Sequence, residues 1–332
     1  MDRDLVYLSG IGTILLLERS GMTLLESIER MTTPLLAIKV DVDTDRGTRI
    51  GVPNLLALFD VFGIKATFLF ALGPDNTGRA IKRVFRPGFL SKVSRTSVVS
   101  TYGIRTLLNG VLLPGPHIGR RNEAVMRLAR DRGHETGIHC YDHIRWQDGL
   151  AVMSPEEVNR EFDKARREFE RIFGTTATTA GAAGWQANEF SLAAYDGARL
   201  LYASDTRGTH PFFPRFGDIV YKTLQIPTTL PTLDELLGRP EYPEERINDH
   251  YLSLLQDGLN VLTIHAELEG MKKSGLFRGF LELMRKCGVG IIRLDEYARR
   301  LIAEPASIPV CDLAIGTIDG RSGTLALQHC GA

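Results

Sequence analysis

The chain reads as an α/β protein whose largely parallel sheet closes into a barrel. Three observations carry that expectation. A strand–helix–strand unit spans Leu35 to Ala71. The same grammar returns between Asn122 and Gly174. Short apolar runs then alternate with helical patterns as far as Ile302. Strand–helix alternation of this kind favours parallel strands with the helices outside.

The elements follow in order. Leu5 to Leu17 is uncharged and largely apolar but too short to span a bilayer. It is read as an ill-packed extension, with Met22 or Met31 as a true start, in preference to an interfacial anchor. Leu35–Val42 (LLAIKVDV) has the composition of a buried strand. Pro53 at the first turn and Gly63 just past the end delimit a helix, and Ile64–Ala71 is the next strand. The stretch 74–121 breaks the alternation and is read as a helical insertion. Asn122 then caps a helix through Arg132, and His134–His139 is a strand. Ser154, Pro155 and Glu157 form a capping box. Val158, Phe162, Ala165, Phe169 and Ile172 recur at helical spacing up to Gly174. Further strands are expected at Leu200–Ser204, Asn260–His265 and Gly290–Leu294, with helices at Glu189–Ala198, Leu276–Lys286 and Asp295–Ile302. The organisation is thus an N-terminal extension (1–34), a barrel (35–305) with its insertion, and a tail (306–332) packed on or near the barrel.

Composition narrows the function. Hydrophobic residues make up 43% and charged residues 24%, ordinary for a soluble domain, and the net charge is zero. No global field then favours nucleic acid, and none is expected as a partner. The four cysteines, Cys140, Cys287, Cys311 and Cys330, form no C-x-x-C pair and are too sparse for a disulfide framework. A reducing compartment is the simpler reading.

The polar residues at strand ends carry the chemistry. Asp41 and Asp43 end the first strand, His139 ends another, Asp205 follows the strand at 200–204, and His265 closes NVLTIH. In a parallel barrel these ends share one face. His139 and His143 are four residues apart, so both imidazoles can reach one ion, and Asp43 adds a carboxylate. Two histidines and one carboxylate leave an open position, the pattern of a catalytic ion. Asp41 shares a strand face with Asp43 and can act as general base. His265, arriving from the opposite wall, can protonate a leaving amine, and Asp205 can orient a histidine. Taken singly, each has an ordinary explanation: an Asp-x-Asp pair is common in loops, His-x3-His pairs occur at surfaces, and Asp205 could cap a turn. The Asp-x-Asp of a nucleotide-sugar glycosyltransferase is another reading, which leaves the three histidines unexplained.

These residues resemble the polysaccharide deacetylase (NodB-homology) superfamily, whose motifs match Asp41-Val42-Asp43-Thr44, His139-x3-His143 and Leu262-Thr263-Ile264-His265. The resemblance implies a distorted (β/α) barrel of about seven strands. It also implies one divalent ion on Asp43, His139 and His143, zinc first, with cobalt, manganese, iron or nickel as alternatives. Within that superfamily, Asp41–Pro53, Gly73–Arg79, Ala182–Asn188, Gln225–Glu235 and Thr263–Gly270 are similar to deformylases of a lipid-linked formamido-arabinose, which serve lipid A modification and polymyxin resistance. That implies a polyprenyl-phosphate-linked formamido sugar as substrate, and N-deacetylation of another amidated carbohydrate as the alternative. It also implies residence in the cytoplasm, peripheral on the inner membrane. Two departures stand out: Gly181 where the wider family has an arginine that pairs with the base, and Gln186 where those deformylases have an arginine. Trp185 is read as a pocket wall and Glu267 as a contact to the sugar hydroxyls or the nascent amine. In the insertion, Arg83, Arg86 and Lys92 interleave with large apolar residues, which suits an anionic membrane surface or a polyprenyl phosphate.

Overall fold

The computed structural model describes residues 34–80 and 103–331. Its strands are β1 (Pro34–Val42), β2 (Thr67–Ala71), β3 (Glu135–Cys140), β4 (Thr179–Ala180), β5 (Tyr202–Ala203), β6 (Phe213–Phe216), β7 (Ile219–Val220), β8 (Leu224–Gln225), β9 (Gly258–His265), β10 (Gly290–Ile291), β11 (Val310–Gly316) and β12 (Leu325–His329). A path β10-β1-β2-β3-β4-β5-β8 runs through the main sheet, with β9 also on β1, and every pairing in it is parallel. Just past β8, the amides of Thr229 and Leu230 both donate to Val261 O on β9 at 3.1 Å. The sheet therefore curls back on itself as the distorted barrel expected from the sequence.

β1 is the axis of this arrangement. Leu36, Ala37, Ile38, Val40 and Val42 are all fully buried, as a strand covered on both faces requires. Helix α1 (Val52–Phe62) begins with Pro53 in its first turn and ends at Gly63, whose φ of 65° only glycine adopts without cost. Helix α2 (Ile118–Asp131) starts earlier than expected. His117 is its cap, accepting from Arg120 N at 3.4 Å, and Asn122 lies inside it. The Asn122 amide instead donates to Asp45 Oδ1 and Ile118 O, both at 3.0 Å, so it ties the helix to the loop after β1. Helix α3 (His143–Gly149) follows β3. Helix α4 (Pro155–Phe173) has the expected capping box and buries Val158, Phe162, Ala165, Phe169 and Ile172. Each such side chain contributes roughly 1.5–3 kcal/mol where it is large and apolar.

A second sheet, of order β12-β11-β6-β7, was not expected. Its strands come from the tail and from a segment that reads as loop, and β7 has only two residues, both exposed. So short a strand shows no alternation. The cysteine expectation is also corrected: Cys311 and Cys330 form a disulfide, with Cα atoms 4.5 Å apart. Antiparallel pairing of β11 with β12 sets Asp312 opposite His329 and so brings the flanking cysteines face to face. Their spacing along the chain carries no such signal.

Candidate active site

Parallel registry assembles the site at the C-terminal ends of the strands. Lys39, Asp41 and Asp43 alternate along β1 and just past it, so they share a face. Asp41 pairs directly with His265 on β9. His265 thus comes from the neighbouring strand and not from the opposite wall. His139 stands near the end of β3, and His143 opens α3, whose start is capped by Asp142 accepting from Arg145 N at 3.0 Å.

Asp43, His139 and His143 bring their ligand atoms within 4.8 Å of one another. Asp43 Oδ1 lies 3.2 Å from His139 Nε2, and Oδ2 lies 3.5 Å from His143 Nε2. His139 Nδ1 bonds the carbonyl of Gly181 at 2.6 Å and must be the donor there, which leaves the lone pair of the neutral ring on Nε2. That lone pair faces Asp43 Oδ1, a buried oxygen that accepts no hydrogen bond. Two acceptors in contact repel unless a proton or a cation lies between them. Two imidazole nitrogens and one carboxylate, held by a backbone carbonyl behind the ring, fit a divalent cation. Burial would raise the Asp43 carboxyl, but positive charge beside it, that of His143 and His139 when protonated, outweighs burial and holds it well below the usual carboxylate range. Burial would depress His265, yet Asp234, Asp43, Glu269 and Asp41 together raise it. Asp41 Oδ1 is buried and without a hydrogen-bond partner.

Glu267 holds the loop that carries Asp43. Its Oε1 accepts from Asp43 N (3.1 Å), Thr44 N (2.9 Å) and Thr44 Oγ1 (2.7 Å). It is 1% exposed, so the expected contact to sugar is corrected: the carboxyl is committed inward. Burial, then the charge of Asp43, pushes it up to about 8. Glu269 does the same for His265, accepting from its backbone N at 2.9 Å. Asp75 Oδ2 accepts from Asp45 N at 3.1 Å, and Asn76 donates to Asp142 Oδ2 at 2.6 Å. The Gly73–Arg79 segment thereby ties the aspartate loop to the histidine loop.

Asp205 is fully buried, but it bonds no histidine. It accepts from Ala182 N at 2.6 Å and Gln225 Nε2 at 3.2 Å, and burial pushes it up to about 6. The orienting partner of His139 is the Gly181 carbonyl. Trp185 is corrected from pocket wall to buried platform. It is 2% exposed, donates to Thr228 Oγ1 at 3.1 Å, and has Arg321, Lys39 and Arg207 at 4.4, 5.2 and 5.4 Å from its ring. Arg83, Arg86 and Lys92 lie outside the described residues.

Two residues escaped the sequence reading. Lys39 is fully buried, 3.6 Å from Asp41 Oδ2, and donates to Ser204 O at 3.1 Å. A Cβ on Gly181 would stand 3.6 Å from Lys39 Nζ, so the cation beside Asp41 comes from β1 and not from position 181. A lone lysine in LLAIKVDV, in phase with both aspartates, was the available signal. Glu269, four residues past His265, was visible in the sequence, but nothing there favoured a functional role over a solvated loop; it is buried.

Residues 40–194 match the polysaccharide deacetylase family model. A protein of Shewanella sediminis named probable 4-deoxy-4-formamido-L-arabinose-phosphoundecaprenol deformylase ArnD is 38% identical over 294 residues, covering 88% of this chain and 94% of that one. A protein of the same name from Wigglesworthia glossinidia brevipalpis is 35% identical over 286 residues, covering 85% and 98%. Among solved structures, a probable polysaccharide deacetylase from Pseudomonas aeruginosa shares the fold with a TM-score of 0.54 at 16% identity, covering 81% of this chain and 91% of that one.

Proposed function

Because the chain belongs to the polysaccharide deacetylase family, through relatives that match it nearly end to end, we propose that it is a metal-dependent amidohydrolase. The reaction is hydrolysis of the N-formyl group of undecaprenyl-phosphate-linked 4-deoxy-4-formamido-L-arabinose. The products are formate and the free amino sugar, whose positive charge would serve lipid A modification and resistance to cationic peptides such as polymyxin. The carrying observation is the cluster of Asp43, His139 and His143 within 4.8 Å, beside Asp41 in register with His265.

Asp43, His139 and His143 would hold the ion, zinc first, with cobalt, manganese, iron or nickel able to use the same donors. When bound, it supplies Lewis-acid polarisation of the amide carbonyl and a more acidic water. Asp41, with one oxygen unpartnered, takes the proton of the attacking water. His265, held protonated by the carboxylates around it, delivers a proton to the amine nitrogen as the C–N bond breaks. Lys39, 3.6 Å from Asp41 Oδ2, orients that carboxyl.

The same reading puts the protein peripherally on the cytoplasmic face of the inner membrane. No described helix is long and apolar enough to cross one. Leu112, Ile104, Val111 and Leu113 are 75%, 68%, 53% and 40% exposed, and Arg83, Arg86 and Lys92 precede them in the same insertion of the sequence. Apolar groups beside cations suit anionic lipid. Reversing those three charges together should reduce vesicle binding and spare a soluble short-chain analogue; unchanged binding refutes the lipid assignment. For the reaction itself, protein stripped of metal and reloaded ion by ion is assayed on a formamido-sugar lipid. Formate release with the free amine is expected. Preferential acetate release from the acetamido analogue would overturn the formyl assignment.

A further inference from the structure

Among the described residues, a second cluster has the donor chemistry of a metal site: His210, Cys311 and Cys330, with ligand atoms within 4.8 Å. It sits on the small sheet, where β11 and β12 pair, and none of its members belongs to the site above. His210 Nε2 lies 3.6 Å from Cys330 Sγ and 4.0 Å from Cys311 Sγ. Its other nitrogen, Nδ1, is 2.9 Å from Thr209 Oγ1, which orients the ring so that Nε2 faces the sulfurs. Gln328 backs the group from β12. Its Nε2 donates to His210 O at 2.9 Å and to Cys311 Sγ at 3.6 Å, and its Oε1 accepts from Thr209 N at 2.7 Å. An imidazole aimed at two sulfurs and braced on both sides is more than a disulfide needs.

We propose that His210, Cys311 and Cys330 form a second metal site, for a soft divalent cation such as zinc, which is open only when the disulfide is reduced. With the sulfurs bonded to each other, neither is a thiolate and the site is closed. A dithiol reductant opens it: it supplies two electrons and two protons, becomes a cyclic disulfide, and leaves thiols on Cys311 and Cys330. Cation binding then displaces both thiol protons. Two thiolates and neutral Nε2 ligate the ion, with a fourth position left to solvent. A reducing compartment favours this open form. The small sheet is tied to Arg207, since Arg207 N donates to Ala326 O at 3.0 Å and Gln328 N to Arg207 O at 2.8 Å, and Arg207 and Lys39 both lie over Trp185.

The test uses the full chain and cobalt as the probe. Thiolate-to-cobalt charge transfer absorbs in the near ultraviolet, and the Asp43–His139–His143 cluster has no sulfur donor to contribute to it. Anaerobic reduction with a dithiol should add one bound equivalent and this band, and reoxidation should remove both. Cys311→Ser and Cys330→Ser should each weaken the band, and the double replacement should abolish it. His210→Ala, at an exposed position that leaves the fold and the disulfide intact, should weaken the added equivalent by at least the roughly 10–100-fold that follows loss of a ligand's own hydrogen-bond partner. Reduction without a further equivalent overturns the proposal. So does a band that persists when Cys311 and Cys330 are both replaced by serine, which would assign it to Cys140 or Cys287.

Discussion

Replacing Glu267 with alanine separates bracing from substrate contact. The carboxyl oxygen it removes satisfies three donors, Asp43 N, Thr44 N and Thr44 Oγ1, at 3.1, 2.9 and 2.7 Å. The hydroxyl can rotate to a new partner, but the two backbone amides cannot. Each stranded buried donor costs about 1–3 kcal/mol, so the loop loses roughly 2–6 kcal/mol before any water enters the gap. Asp43 is then no longer held toward the histidines, and metal affinity should fall about 10–100-fold, as when a ligand's supporting group is lost. Glu267→Gln keeps the accepting oxygen. It also mimics the protonated acid, since burial pushes this carboxyl up to about 8. It should stay near wild type in both respects. Chelator competition reads the affinity, and denaturant unfolding of metal-free protein reads the stability. Gly47→Ala should reproduce the alanine phenotype, because its Cβ would collide with Glu267 Oε1. The reasoning is refuted if Glu267→Ala binds metal normally and loses only kcat, or if Glu267→Gln is equally damaged.

Other substitutions test separate parts of the site and scaffold. Asp41→Asn should lower kcat about 10²–10⁴-fold while retaining the ion, measured by turnover and metal content; loss of metal would make Asp41 a ligand. Lys39→Met leaves the buried Asp41 carboxylate without its counter-charge and should cost about 3–5 kcal/mol in urea unfolding; wild-type stability would show the pair to be dispensable. Glu135 is buried and then further raised by Asp295, to about 7 from an ordinary 4.5. Its folded form keeps a proton the unfolded chain has released, so its contribution is full below 4.5 and is lost as pH rises through about 7. Glu135→Gln should remove on the order of 3 kcal/mol of that decline, seen as a flatter stability profile between about pH 5 and about pH 8. Parallel profiles would contradict it.

Local rules made much of the molecule readable. Ser154 with Glu157, and Gly63 and Gly174 at helix ends, are capping chemistry that operates within a few residues, and the structure follows it. Asn122 departs from that pattern: its own φ and ψ are non-helical, at a kink, but the helix already begins at Ile118, capped by His117, and the Asn122 amide nitrogen donates to Asp45 and Ile118. Of the strands of two residues, β5 and β10 fall inside the expected runs at 200–204 and 290–294, whereas β4, β7 and β8 are held by their neighbours and leave no periodicity to read.

By itself the sequence determined which side chains reach the face of the barrel where chemistry can occur. Alternation along β1 and the positions of His139 and His265 near strand ends follow from the geometry of strands. Tertiary structure decided what those side chains do to one another. Only parallel registry sets His265 beside Asp41, and only folding turns Glu267 inward to hold Asp43, buries Trp185 beneath three cations, and brings Cys311 against Cys330. The physical reason is distance along the chain: Glu267 and Thr44 are separated by 223 residues, and no local pattern encodes a contact that depends on every intervening element being in place.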